Sequence, residues 1–283
     1  MSDELKCMQV VRRVMDQTYS DIPGGASEKD ASIQEAIDSM SARYRNGLLK
    51  RGGPDFSDST VRFAYVHVYV AAHAHWIYEE IKESEELQAL FEQPKLRLAC
   101  LGGGPGSDLI GVLKYTDSLE DCPSIQCEIV DGCLNWKTTW ADLAYSLDWS
   151  KPLHTDYVVH DVSDEGTWSA PSNIHKADLV VLSFFVSEIC HLGDVARLYL
   201  VGMLRRTKPG CLVLFIDNDS SVFTNFFDGI AHEVGLIVLS VQSGRRAIYD
   251  TGEKKADLGP YTDKFGRHPK LQGQVASRIL RRP

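Results

Sequence analysis

One stretch constrains this chain more than any other: Leu98-Ala-Cys-Leu-Gly-Gly-Gly-Pro-Gly-Ser-Asp-Leu-Ile110. An apolar run enters a turn carrying Gly102, Gly103, Gly104 and Gly106, and an amphipathic stretch follows at once. Glycine lets a backbone turn tightly and lets a ligand approach without a side chain in the way. Strand, glycine turn and helix in direct succession predict a binding crevice at the carboxyl end of a strand in an open α/β sheet.

The rest of the chain agrees with such a sheet. From Lys95 on, short runs rich in Val, Ile and Leu alternate with helical stretches, at 97–101, 125–130, 157–160, 177–183, 211–216, 236–240 and 275–280. Runs without polar alternation suit strands covered on both faces. Strands alternating with helices imply parallel pairing. The expected fold class is α/β, a doubly wound, seven-stranded, mostly parallel, Rossmann-like sheet. The last two runs have no obvious long helix between them, which predicts an antiparallel last strand in a hairpin at one edge.

Residues 1–93 read differently. Leu5, Met8, Val11 and Met15 recur at helical spacing. The segment 21–30, with Pro23, Gly24 and Gly25, reads as a loop. A second helix follows at 31–49, ended by Arg51-Gly-Gly-Pro54, and a long third one, capped by Asp58 or Ser59, runs to about Lys82. The expected organisation is an N-terminal helical lid at 1–93 and an α/β domain at 94–283.

Composition narrows the function classes. With 43% apolar and 24% charged residues the chain can build a substantial core. A net charge of −9 argues against a surface that tracks nucleic acid throughout. The charge is uneven, because 244–283 carry ten Lys or Arg against four Asp or Glu, about +6, leaving about −15 elsewhere. That basic segment reads either as a phosphate-facing surface or as a solvated edge hairpin. Seven cysteines form no CxxC pair, zinc spacing or disulfide framework, which suits a reducing compartment. The longest apolar run, near 179–186, falls far short of the ~20 residues of a membrane span. The start of the chain shows no apolar signal-like core. A cytoplasmic protein with no membrane partner is expected.

Glycine spacing discriminates between cofactors. A dinucleotide site uses G-x-G-x-x-G, with the pyrophosphate on the helix N-terminus. Here the glycines fall at 102, 104 and 106, and the dinucleotide pattern would need a glycine where Ser107 stands. S-adenosylmethionine has no phosphate to seat, and a tighter turn suffices for its amino-acid end. The spacing therefore favours the methyl donor over NAD. Asp131 ends the next strand, where a carboxylate can accept both ribose hydroxyls. Asp161 ends the third, where it can accept the exocyclic amine of adenine. Aspartates at strand ends are also common turn residues.

Together these residues resemble the class I S-adenosylmethionine-dependent methyltransferase superfamily. The resemblance spans roughly 95–283. It rests on the LGGGPG turn, Asp131, Asp161 with Val162, the strand 177–185, and the Lys208-Pro-Gly210 turn before 211–217. It implies a seven-stranded sheet with an antiparallel seventh strand and S-adenosyl-L-methionine as cofactor. It further implies cofactor contacts from Gly102, Gly103, Gly104, Gly106, Asp131, Asp161, Val162 and Ser183. Many members of the family carry an acid two residues before the first glycine, where this chain has Cys100. Asp108, at the start of the helix, is the candidate substitute, or else a charge partner of the helix N-terminus.

Displacement at a sulfonium asks the protein mainly to align the reactants and exclude water. A base is needed only when the nucleophile carries a proton. The run Ser183-Phe-Phe-Val-Ser-Glu188 supplies the catalytic candidates. These are Ser183, Phe184 as a cation–π face for the methyl donor, and Glu188 to orient or deprotonate an acceptor. Phe185, Asp217 and Asn218 are candidates on the acceptor side. The competing readings are core packing for the phenylalanines, a helix cap for Glu188 and turn formation for the last two. The Asn/Asp-Pro-Pro-aromatic run of members that methylate planar amino groups is absent. Tyr65, Tyr69, His73 and Trp76 share one face of the third helix, as an acceptor lid or as core. His67, His73 and His75 fall on different faces, so no metal site is expected. Trp136, Trp140 and Trp149 either wall the adenine pocket or pack helix on sheet.

The favoured reading is a methyltransferase for a small molecule, with residues 1–93 as lid and acceptor selector. An RNA methyltransferase of the ribosomal-RNA type, using the basic segment, is the alternative. The LGGGPGSD turn and the Ser183-Phe-Phe strand are loosely similar to fungal ribosomal-RNA uridine methyltransferases, and a nuclear or nucleolar location would follow. A catalytically inactive methyltransferase-like binding module is the third reading, favoured by Cys100. An NAD-dependent oxidoreductase is the poorest.

Overall fold

A computed structural model describes residues 5–45, 54–147, 149, 151–248 and 252–283. The N-terminal region forms α1 (Cys7–Asp21), α2 (Ala26–Arg45), α3 (Ser59–Tyr65), α4 (Ala71–Glu83) and α5 (Glu85–Gln88). Then follow β1 (Lys95–Leu101), α6 (Ser107–Asp117), β2 (Ser124–Asp131), α7 (Trp136–Ser146), β3 (Leu153–Val159), β4 (Leu179–Ser183), α8 (Val186–Ile189) and α9 (Asp194–Arg205). The chain closes with β5 (Leu212–Asn218), α10 (Ser221–Val234), β6 (Ile237–Ala247), α11 (Tyr261–Lys264) and β7 (Gln272–Arg281).

The seven strands make one sheet in the order β3-β2-β1-β4-β5-β7-β6. β1 pairs in parallel with β2 and β4, and so do β2 with β3 and β4 with β5. β7 runs antiparallel to both β5 and β6, which is the expected edge hairpin. The order reverses between β1 and β4, so the crevice of an open α/β sheet opens at their carboxyl ends. β4 is buried at every position, as its unbroken apolar run requires. β3 starts at Leu153 rather than 157, and β6 runs on to Ala247, because both edge strands alternate exposed and covered residues and only part of each is apolar.

The first helices differ from expectation in detail. α2 begins at Ala26, inside the expected loop, because Glu28 reaches back to accept the Gly25 N–H at 2.9 Å. Its expected end at Leu49, with Arg51, Gly52 and Gly53, lies outside the described residues. Asp58 caps the third helix by accepting the Thr60 N–H at 2.7 Å. That helix then widens into a π turn at Val66–Val70 before continuing as α4. Such widened turns occur often at functional sites.

Each face of the sheet carries its own apolar layer. One layer joins α9 and α10 to the sheet. The other joins α1, α2, α3, α4, α6 and α7. The N-terminal helices therefore share a core with the sheet, and the change of texture near residue 93 marks no break in packing. A buried ion pair locks them in place. Glu253 accepts from Lys114 Nζ at 2.5 Å and from the Cys7 and Met8 N–H groups at 2.8 and 3.1 Å, capping the first turn of α1. Among the described residues, five of the basic segment's ten cations form ion pairs. Arg246 meets Glu80 at 2.5 Å, Lys264 meets Asp30 at 3.0 Å, Arg267 meets Asp38 at 2.7 Å, and Arg278 meets Asp228 at 3.2 Å. Among the described residues no helix is long and apolar enough to cross a membrane.

Candidate active site

The glycine turn is built against α7. Gly102 (φ +69°) donates its N–H to the Val130 carbonyl at 2.8 Å, and Gly106 (φ +79°) opens α6 in the left-handed region. A Cβ at Gly104 would strike the Trp136 ring and come within 2.7 Å of Asp131 Oδ2, and one at Gly106 would sit 2.6 Å from Trp140. The two tryptophans thus pack directly on the turn. Asp131 also holds the turn: Oδ2 accepts the Gly104 N–H at 2.9 Å and Oδ1 the Cys133 N–H at 2.8 Å. Burial raises the Asp131 pKa to about 6, and these two N–H bonds hold the rise back. A carboxylate offers roughly four acceptor positions, so acceptor capacity remains.

A cleft of about 280 Å³ opens above the turn, walled by Gly102, Asp131, Asp161, Val162, Ser183 and Glu188 among others. Asp161 does what its turn chemistry suggests, accepting from the Ser163 N–H (2.8 Å) and hydroxyl (2.7 Å), both on Oδ1. It still faces the cleft. Trp136 also lines the cleft. The Phe185 ring leans over Gly102, so close that a Cβ there would clash with it.

Asp108 is buried beside Cys100 and Ser183 and is not part of the cleft lining, and its Oδ2 has no hydrogen-bond partner among the described residues. Burial pushes its pKa up to about 7, against the lowering effect of the Ser183 hydroxyl and the Cys100 thiol. The helix thus returns a carboxyl to the place where strand β1 carries a thiol.

Beyond the cleft lies a second cavity of about 740 Å³, between α2, the α3–α4 helix and the segment before β7. Phe184 stands at the junction. It is the one non-glycine residue with positive φ (+53°) among those described, and such a conformation costs on the order of 1–3 kcal/mol. Its N–H donates to the Ile216 carbonyl at 2.7 Å, and its ring stacks on His73 with centroids 3.6 Å apart and planes 7° apart. His73 is buried, which drives its pKa well below the usual imidazole range, and its Nε2 has no hydrogen-bond partner among the described residues.

Glu188 and Lys270 are both half-buried on this cavity's wall. Glu188 accepts a 2.9 Å hydrogen bond from the Tyr44 hydroxyl, and burial pushes its pKa up to about 8 despite that bond. Lys270 lies over the rings of Phe184, Trp76 and Tyr69, at 4.9, 5.2 and 5.7 Å from their centroids. Its ammonium donates to Asn218 Oδ1 at 3.3 Å, and desolvation lowers its pKa to about 8 while Asp217 opposes the fall.

The sequence-based candidates divide by position. Gly102, Asp131, Asp161, Val162, Ser183, Phe184, Phe185 and Glu188 line the cleft. Tyr65, Tyr69 and Asn218 line the larger cavity, and Tyr65, Phe184 and Glu188 line both. Gly103, Gly104 and Gly106 frame the turn. Asp217 lies behind the cavity wall, fully buried, with its oxygens taken by the Ser187 and Asn218 N–H groups at 2.8 and 2.7 Å. Its resolved bonds are those of a structural cap, and it is not part of the cavity lining. His67 meets the Arg267 carbonyl, His75 meets Glu79 and His73 meets Phe184, so the three histidines do not converge. Sequence reasoning missed Tyr44 and Lys270. Tyr44 shares a helix face with Ile37 and Ser41, all on the cavity wall, a pattern visible in the spacing. Lys270 belongs to no motif.

No family model and no curated protein matches this sequence. Solved structures do. An O-methyltransferase family protein from Burkholderia thailandensis is 15% identical over 90% of this chain and 71% of its own, with a TM-score of 0.51. A TehB-like SAM-dependent methyltransferase from Corynebacterium glutamicum is 12% identical over 87% of this chain and 98% of its own, with a TM-score of 0.41. An arsenic(III) S-adenosylmethionine methyltransferase from Chlamydomonas reinhardtii is 16% identical over 74% and 73%, with a TM-score of 0.40. With its strand order and antiparallel seventh strand, the chain has the class I methyltransferase fold.

Proposed function

We propose that this protein is an S-adenosylmethionine-dependent methyltransferase acting on a small molecule bound in the larger cavity. The observation that carries this reading is the shared wall: Tyr65, Phe184 and Glu188 face both the cleft at the glycine turn and the cavity beyond it. A donor in one and an acceptor in the other would meet there.

The cleft suits the cofactor. Asp131 has acceptor capacity left for ribose hydroxyls, Asp161 lines the same cleft with acceptor capacity for the adenine amine, and the glycine turn leaves room for backbone approach. Seating the amino-acid end over Gly102 asks the half-buried Phe185 ring to turn aside. When bound, S-adenosylmethionine supplies an electrophilic methyl group on a sulfonium, which leaves as a neutral thioether. The chain's part is alignment and exclusion of water, for which the aromatic wall is suited. Glu188, with its pKa near 8, is placed to take a proton from a hydroxyl or amine nucleophile at mildly alkaline pH.

Calorimetry with S-adenosylmethionine, S-adenosylhomocysteine and NAD tests the reading. Heat with the two sulfur ligands and none with NAD is the expected result, and no heat with either sulfur ligand would defeat it. The RNA alternative finds less support. Arg246, Lys264, Arg267 and Arg278 of the basic segment are engaged with Glu80, Asp30, Asp38 and Asp228. Steeply salt-dependent RNA binding would restore it.

A further inference from the structure

We infer that the larger cavity takes a planar aromatic acceptor carrying a carboxylate, and that Lys270 is the residue that selects for the negative charge. The inference rests on the methyltransferase reading for what happens after binding, but the ligand class follows from the cavity alone.

The cavity's walls are flat rings. Tyr44, Tyr65, Tyr69, His73 and Phe184 line it, in tilted or edge-on contact with one another except for the His73–Phe184 stack. A volume of about 740 Å³ is ample for a ligand of two or three fused rings. Aromatic walls alone would accept any flat molecule, so selection depends on charge.

The charged groups are lopsided. Glu188 is the one acid on the wall among the described residues, against Arg267, His268 and Lys270. Burial leaves Glu188 largely protonated at neutral pH. Arg267 and His268 are exposed at the mouth and already face Asp38 (2.7 Å) and Asp263 (3.7 Å). Lys270 is different. Its ammonium is half-buried among three rings and meets one neutral acceptor, Asn218. Among the described residues it forms no ion pair. The nearest acid acting on it, Asp217, is behind the wall with its oxygens committed to backbone N–H groups. An ammonium has three donors, so Lys270 retains donor capacity in a partly desolvated place. A carboxylate entering the cavity would use it.

The placement of Lys270 is built into the backbone. Its N–H donates to the Val68 carbonyl at 2.7 Å, inside the π turn. Gly273 leaves room for it: a Cβ there would lie 3.1 Å from Lys270 Cε and 3.1 Å from the Trp76 ring.

Direct binding of two matched probes, with S-adenosylhomocysteine present, tests this. The probes are 6-hydroxy-2-naphthoate and the neutral 6-hydroxy-2-naphthalenemethanol. The wild-type protein should prefer the naphthoate by about tenfold or more, as a charge-assisted hydrogen bond would give. Lys270→Met, which keeps the apolar stem, should lose that preference while binding the alcohol within about threefold of wild type, and Lys270→Arg should retain it. Absence of binding by either probe, equal binding of the two by the wild type, or a preference that survives in Lys270→Met would overturn the proposal. S-adenosylhomocysteine affinity is measured separately, and the probe titrations are repeated without it. Loss of that affinity alone would sink the methyltransferase reading and leave the ligand class standing.

Discussion

The Tyr44 hydroxyl donates a 2.9 Å hydrogen bond to Glu188 Oε1, tying the end of α2 to α8. The bond joins the N-terminal helices to the wall shared by cleft and cavity. Burial lifts the Glu188 pKa to about 8, and the tyrosine bond moderates the rise.

A pH-dependent stability follows. Glu188 has a folded-state pKa above its unfolded value of about 4.3, so the folded form binds the extra proton. The stabilisation is fully present below about pH 4.3 and is lost as pH rises through about 8. Asp108, Asp131 and Asp217 are raised in the same direction, whereas His67, His73, His160 and Lys270 are lowered by burial and act oppositely, so the comparison is made between variants. Thermal unfolding of the ligand-free protein from pH 5 to 9 should contain a Glu188 contribution to Tm that falls with pH. Glu188→Gln should flatten that slope, by on the order of 1.4 kcal/mol per pK unit removed. Tyr44→Phe should steepen it. A slope unchanged in Glu188→Gln would show that this carboxyl is not held in its neutral form.

Asp131→Ala should weaken S-adenosylhomocysteine binding by about 1–3 kcal/mol, the usual loss for a charge-assisted hydrogen bond. The same carboxylate holds the Gly104 and Cys133 N–H groups, so the turn loosens as well. Asp131→Asn keeps an acceptor for one of those groups and should lose less. Calorimetry of the three proteins checks the order, and equal affinity in all three would remove Asp131 from the cofactor site.

The buried Lys114–Glu253 pair makes a separate prediction about folding. Both side chains are almost fully buried, and Glu253 also caps α1. Glu253→Gln removes the Glu253 counter-charge from the buried Lys114 ammonium and should cost about 3–5 kcal/mol in urea unfolding. Lys114→Met with Glu253→Gln should recover part of that loss. The neighbours of Glu253 hold its pKa below the usual value, so its stabilisation is present above about pH 4.3 and is lost as pH falls through the lower folded value.

Much of this arrangement was legible in the chain, for identifiable reasons. β1, β2, β4 and β5 are covered on both faces and so read as apolar runs. β3 and β6 lie at the sheet edges, where half the residues meet water and the apolar signal thins out. Asp131 was legible because its strand leads straight to the crevice. Asp217 and Asn218 were not separable, since consecutive residues of a strand point to opposite faces and the sequence does not say which face is the wall. The left-handed backbone at Phe184 follows the end of β4 at once, and of the two adjacent phenylalanines one packs on His73 and the other on Gly102. Lys270 owes its position to a carbonyl in a π turn some 200 residues away, a contact that no local pattern encodes.

Glycine substitutions separate space from backbone preference. Gly104 has no left-handed φ, so alanine is conformationally allowed there, yet its methyl group would strike Trp136 and approach Asp131 Oδ2 to 2.7 Å. Neither neighbour can retreat easily: Trp136 is buried, and the carboxylate is pinned by two N–H groups. Gly104→Ala should therefore cost about 1–3 kcal/mol in stability, the range for overpacking, and abolish S-adenosylhomocysteine binding by displacing the turn. Gly202 is the control. It is exposed within α9, its φ is not left-handed, and a Cβ there meets nothing within 4 Å. Gly202→Ala should stabilise by roughly 0.4–1 kcal/mol through the unfolded chain and leave binding untouched. Thermal unfolding and calorimetry on the pair read both effects. Full cofactor binding by Gly104→Ala would mean that the donor does not use this turn.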